Sequence, residues 1–203
     1  MINSACDLSE VIQYLTPEQC TVICKALKEK LPVFIKSVSD FRIILQYLTP
    51  KQRGVIYESV KEKLLVIINS AYDLNEVIQY LTPEQCTVVC KALKEKLSTL
   101  IKSASDFKII LQYLTPNQRG VIYEFVKEKL PVIINSAYDF RELIQYLTPE
   151  QCTVVCKALK EKLSVIIEDP FDFKIIVRYL TFDQFVVVCE FLKLPTIINS
   201  AYD

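Results

Sequence analysis

The sequence predicts an all-α chain, an α-solenoid of six 33-residue helical repeats arranged as three 66-residue pairs, and three observations carry that reading. The block Tyr-Leu-Thr recurs at Tyr14, Tyr47, Tyr80, Tyr113, Tyr146 and Tyr179, each 33 residues from the next. Two versions alternate, one with Pro-Glu-Gln-Cys after the threonine (Pro17, Pro83, Pro149) and one with Pro-Lys/Asn-Gln-Arg-Gly (Pro50, Pro116), so the larger period is 66. Strict apolar alternation is missing throughout and the chain has only 2 glycines, so no strand pattern competes.

Each repeat reads in order as a short helix, a longer helix and a brief apolar connection. The first helix is expected to open on an aspartate found in every repeat (Asp7, Asp40, Asp73, Asp106, Asp139, Asp172), because aspartate is a favoured N-cap and complements the helix dipole. An apolar stripe such as Phe107, Ile110, Leu111 and Leu114 follows it. In Thr82-Pro83-Glu84-Gln85, a capping threonine, a proline in the first turn and a glutamine at the third position together start the second helix. That helix is expected to run to about Leu97, with Cys86, Val89, Cys90, Leu93 and Leu97 on one face and Lys91, Lys94 and Glu95 on the other. The connection, Leu130-Pro-Val-Ile-Ile-Asn-Ser-Ala-Tyr138 or a relative of it, is too apolar for a linker and reads as a third, short helical turn.

A helix pair of this size cannot bury its apolar face alone, and stacking the pairs makes one continuous core. With helices about 8–10 Å apart, six repeats give a body about 60 Å long. The expected organisation is a single helical-repeat domain over residues 1–203, a fragment of a longer array or protein. The ending supports this expectation. The last repeat carries Phe182 where proline stood, adds Phe185 and Phe191, lacks two residues ahead of Leu194, and closes on Ile-Ile-Asn-Ser-Ala-Tyr-Asp203, the opening phrase of another repeat. Further repeats downstream, or self-association through this apolar C-terminal repeat, would cover such a surface.

Composition narrows the function classes. Lys+Arg and Asp+Glu both number 24 and are interspersed as Lys-Glu-Lys triplets, which argues against a nucleic-acid partner, whose binding needs clustered positive charge. No apolar run approaches the ~20 residues of a membrane span, and the start Met1-Ile-Asn-Ser-Ala-Cys-Asp7 lacks the pattern of a cleavable secretory signal. Six of the 8 cysteines form i, i+4 helical pairs, Cys20/Cys24, Cys86/Cys90 and Cys152/Cys156, a spacing poorly suited to disulfides. Reduced thiols in a cytoplasm are the expectation.

The segments Asp106-Phe-Lys-Ile-Ile-Leu-Gln-Tyr-Leu-Thr-Pro-Asn-Gln-Arg119 and Lys127-Glu-Lys-Leu-Pro-Val-Ile-Ile134 resemble the tandem α-helical repeats of effector proteins that intracellular bacterial pathogens deliver into host cells. The resemblance spans nearly the whole chain, but its motifs are caps and core positions. It implies a host-facing interaction role, with translocation into a host cytosol, and supplies neither substrate nor catalytic residue.

Reaction chemistry is hard to build from these residues. A structural zinc needs about four ligands, the chain has no histidine, and successive cysteine pairs are two repeats apart. No metal and no cofactor is expected, and the cysteines read as small buried hydrophobes. Without histidine the Cys-His arrangement is excluded, and Glu10, Glu76 and Glu142, once per 66 residues, read as solvated carboxylates. The chain is therefore expected not to be an enzyme.

The feature left over is a ladder: Gln13-Tyr14, Gln46-Tyr47, Gln79-Tyr80, Gln112-Tyr113, Gln145-Tyr146 and Arg178-Tyr179. Stacking would put these positions in a row, and tyrosine combines area, stiffness and a hydroxyl, as interfaces require. The competing reading packs each ring under the Thr-Pro turn. The leading functional expectation is a scaffold for an unidentified protein partner. Its rivals are the targeting arm of an enzyme whose catalytic domain lies outside this segment, and a structural spacer or homo-oligomerisation module.

Overall fold

The structure, a computed structural model, describes residues 2–192, and among them the only regular secondary structure is helical. Helix starts keep the period of the sequence. The short first helices are α1 (Ala5–Ile12), α4 (Val38–Leu45), α6 (Ala71–Ile78), α9 (Ala104–Leu111), α12 (Ala137–Ile144) and α15 (Pro170–Val177). The second helices are α2 (Pro17–Ala26), α5 (Pro50–Ile67), α7 (Pro83–Ala92), α10 (Pro116–Val126), α13 (Pro149–Ala158) and α16 (Phe182–Leu192). Shorter third pieces are α3 (Leu31–Phe34), α8 (Lys94–Leu100), α11 (Leu130–Ile133) and α14 (Leu163–Ile166).

Caps explain most boundaries. Thr82 Oγ1 accepts from the Gln85 amide at 3.3 Å while Gln85 Oε1 accepts from the Thr82 amide at 3.0 Å, the reciprocal box expected from the sequence. The aspartate expected to cap the first helix sits three positions inside it instead. Ser4, Ser37, Ser70, Ser103 and Ser136 are the N-caps, each accepting from the backbone of the aspartate, whose carboxylate turns back to the amides before the helix. Asp7, for example, accepts from the Asn3 amide at 2.9 Å, and that bond leads the lowering of its carboxyl below the ordinary range. Aspartate takes over the cap only in the last copy, where Asp169 accepts from Phe171 and Asp172.

The second helix does not run unbroken to Leu97. α7 ends at Ala92, Leu93 turns out of helical geometry at φ −90°, ψ 7°, and α8 restarts at Lys94, an arrangement that keeps Leu93, Leu97 and Leu100 all buried. In the alternate copies proline decides. α5 continues through Leu65 for 18 residues. Where Pro131 replaces that leucine, the carbonyl four residues earlier loses its donor, and a 3₁₀ turn over Lys127–Lys129 separates α10 from α11.

The chain divides into two compact units, one comprising residues up to Leu100 with Tyr113–Ile122, the other comprising Ile101–Gln112 with the chain from Tyr123 onward. Inside the first unit, α1 packs on α4 and α4 on α6, while α2 packs on α5 and α5 on α7. Inside the second, α9 packs on α12 and α12 on α15, with α13 on α16. First helices therefore lie against first helices and second against second. The core repeats accordingly: Leu8, Phe41, Leu74, Phe107 and Phe140, at 33-residue spacing, are completely buried. The shortened segment ahead of Leu194 and the closing Ile-Ile-Asn-Ser-Ala-Tyr-Asp203 lie outside the described residues.

Candidate functional site: the tyrosine positions and their surroundings

The ladder residues follow the C-terminal end of each first helix, where a glutamine or Arg178 is the C-cap and the tyrosine begins the turn into the next helix. Because the apolar stripe of the first helix is spent on the residues before them, the rings leave the core. Tyr14 is 83% exposed, Tyr113 67%, Tyr47 52% and Tyr179 48%, while Tyr80 and Tyr146 are half-buried. None is a core residue. Gln13 and Gln145 donate to the carbonyls of Glu10 and Glu142 three residues back. Gln13, Gln46, Gln145 and Arg178 are exposed, and Gln79 and Gln112 are half-buried.

Two of the tyrosines are overlaid by arginine. The Arg53 guanidinium lies 5.1 Å from the Tyr80 ring centre, and Arg141 lies 5.4 Å from Tyr179 and 5.0 Å from Tyr138. Burial, and next Glu76, push the Tyr80 phenol up, against the lowering effect of Arg42 and Arg53. These rings offer a flat, stiff apolar face with a polar tip and, at Tyr80 and Tyr179, a fixed cation beside it.

The glutamates expected to be solvated are not all so. Glu10 is exposed, but Glu76 is buried and pairs with Arg42 at 3.0 Å, and Glu142 is half-buried and pairs with Lys108 at 2.7 Å. Ser105 also donates to Glu142 at 3.1 Å. Burial would raise the Glu142 carboxyl, yet the bonds from Lys108 and Ser105 outweigh it and leave it below its ordinary value. Both pairs join the first helices of neighbouring sequence repeats. They pin α4 to α6 and α9 to α12.

The six paired cysteines are all buried, as their helical spacing predicts, with Cys6 exposed and Cys189 half-buried. Burial pushes Cys24 up to about 11 and both Cys86 and Cys90 up to about 12. In Cys156, contact with the Cys152 thiol at 3.9 Å comes first and burial second, again raising it. Such thiols are poor nucleophiles at neutral pH. Cys20 and Cys86 instead donate weakly to the carbonyls closing α1 and α6, each at 3.6 Å.

Other contacts leave almost no trace in the local sequence. Gln118, the capping-box glutamine of α10, is buried and sends its amide back to the carbonyls of Ile78 at 3.0 Å and Leu81 at 2.7 Å. Gln184 does the same for Ile144 and Leu147, and Gln52 reaches the carbonyl of Pro17. Lys162 places its ammonium on the carbonyls of Pro131 and Ile134 at the end of α11, and Lys96 on that of Leu65 near the end of α5, where the helix dipole favours a cation. The only hint in the sequence is that these glutamines recur every 66 residues.

Among the described residues no helix is long and apolar enough to cross a membrane, and no group of three or more Cys, Asp or Glu is placed to hold a metal ion. Compared with protein-family models, curated proteins and solved structures, the chain matches none.

Proposed function

We propose that the chain is a non-enzymatic scaffold, an α-solenoid of six helical repeats that binds a protein partner through its exposed tyrosines in a reducing cytosol. The effector resemblance extends the proposal to a host protein as the target. The observation that carries it is the position of Tyr14, Tyr47, Tyr113 and Tyr179, large aromatic side chains exposed just past the ends of the first helices. Tyrosine is enriched among residues that dominate binding energy, because a stiff ring loses little entropy when it docks.

The test is capture from host-cell lysate by the immobilised full chain and by its Tyr14→Ala/Tyr47→Ala/Tyr113→Ala variant. The reading expects proteins held by the first to be lost from the second, while both melt alike. Identical captured sets would sink it. A homo-oligomerisation module is the second reading, favoured by Phe171 and Phe182, which are 61% and 78% exposed. Light scattering across a dilution series separates the two, since self-association makes the mass depend on concentration.

A further inference from the structure

The two glycines of the chain, Gly54 and Gly120, lie inside helices α5 and α10, where alanine is intrinsically preferred. Internal packing requires neither. A Cβ at Gly54 would meet nothing nearer than Gln85 Nε2 at 3.9 Å, an ordinary contact, and one at Gly120 would meet nothing within 4 Å. Neither backbone is in the left-handed region that glycine favours. A mid-helix glycine with open space above it allows close approach by something other than the chain's own side chains.

Gly54 lines an open groove of about 490 Å3, within the size range of ligand sites, formed by α2, the turn after it, α5 and the start of α7. Lys25, Lys28 and Lys51 line it with Val55, Ser59 and Gln85. Its one carboxylate, Glu58, is already paired with Lys61 at 3.1 Å. Lys25 and Lys28 make no ion pair among the described residues, and Lys51 acts on Glu18 only at a distance. The groove is thus cationic at its rim, with Val55 apolar inside and bare backbone at Gly54.

We infer that this groove binds an extended acidic segment of a protein partner, its backbone laid against Gly54 and its carboxylates met by Lys25, Lys28 and Lys51. The inference rests on the scaffold reading and gives it a second contact chemistry, distinct from the tyrosines. Charge complementarity selects the occupant, and the absent side chain at Gly54 admits a backbone where a bulkier residue would hold it off.

The probe is a fluorescein-labelled peptide of alternating glutamate and alanine, titrated with the full chain and read by anisotropy at about 0.15 M salt. Wild type should bind it, and not the matching lysine-alanine peptide. Gly54→Leu should weaken binding about tenfold or more by filling the groove, and Lys25→Gln/Lys28→Gln/Lys51→Gln should do the same by removing its charge. Gly54→Ala serves as the folding control, because the added methyl fits and favours the helix, so its melting temperature should rise while its binding falls. The tyrosine triple variant should bind the probe like wild type. No binding by wild type, equal binding by all variants, or stronger variant-sensitive binding of a single-stranded oligonucleotide would each overturn the inference. If tyrosine-dependent capture survives such a result, this inference alone fails; if both are lost, the scaffold reading fails with it.

Discussion

At the scale of single residues, burial sets the protonation of the paired cysteines. Cys86 and Cys90 are both buried, and their thiols are pushed up to about 12. Well below pH 9 the folded and unfolded chains both keep these protons, so stability there is independent of their ionisation. Between the unfolded value of 9.0 and the folded value near 12 the unfolded chain releases protons that the native one retains, and stability falls as pH rises. Each such thiol contributes a slope approaching about 1.4 kcal/mol per pH unit in that window. Denaturant melts at pH 8 and pH 10.5 should therefore show a marked alkaline loss, reduced in Cys86→Ala/Cys90→Ala. Thiol labelling at neutral pH should modify Cys6 quickly and the six paired cysteines only on unfolding; rapid labelling of several of them in the native state would contradict their burial.

At the scale of elements, one residue type at one register position does two jobs. Gln85 and Gln118 both sit third in a capping box, but Gln85 is half-buried and bonds locally, whereas Gln118 is buried and also satisfies two carbonyls some forty residues earlier in the chain. Removing a partner from a buried carbonyl costs more than loss of an exposed bond. Gln118→Ala should cost about 2–3 kcal/mol and Gln85→Ala under about 1 kcal/mol, measured by urea denaturation; equal losses would mean that the long-range bonds contribute nothing.

This contrast also shows what the sequence could reveal. Helix starts were legible because threonine, proline and glutamine cap through contacts only three residues apart. The sequence does not separate the serine caps from aspartate caps, because both residues recur at each helix start and the aspartate carboxylate also accepts from the amides there. The break at Leu93 was invisible, since Ala-Leu-Lys contains no glycine or proline. The pairing of Glu76 and Glu142, and the reach of Gln118, depend on residues 34 to 40 positions away, which no local pattern records.

At the scale of the whole molecule, the tyrosines among the described residues run from core to surface, with Tyr80 and Tyr146 half-buried between. Tyr57 and Tyr123, inside the second helices, are buried, and the Tyr57 hydroxyl has no hydrogen-bond partner. Tyr14, Tyr47, Tyr113 and Tyr179 are exposed, with Tyr72 and Tyr138 beside them in class. The candidate site was legible as a recurring Gln-Tyr step, but not its exposure, because periodicity alone does not say whether a ring after a helix end folds under the next turn or faces water.

The central claim, that the ladder tyrosines lie outside the core and so are free for the proposed binding, is tested most directly by thermal and denaturant melts of Tyr47→Ala and Tyr113→Ala beside Tyr57→Ala. The account predicts losses below about 1 kcal/mol for the two ladder variants, as for exposed positions, and about 3–5 kcal/mol for Tyr57→Ala, as for buried aromatic residues. Losses of that larger size at Tyr47 and Tyr113 would make those rings structural and contradict the claim.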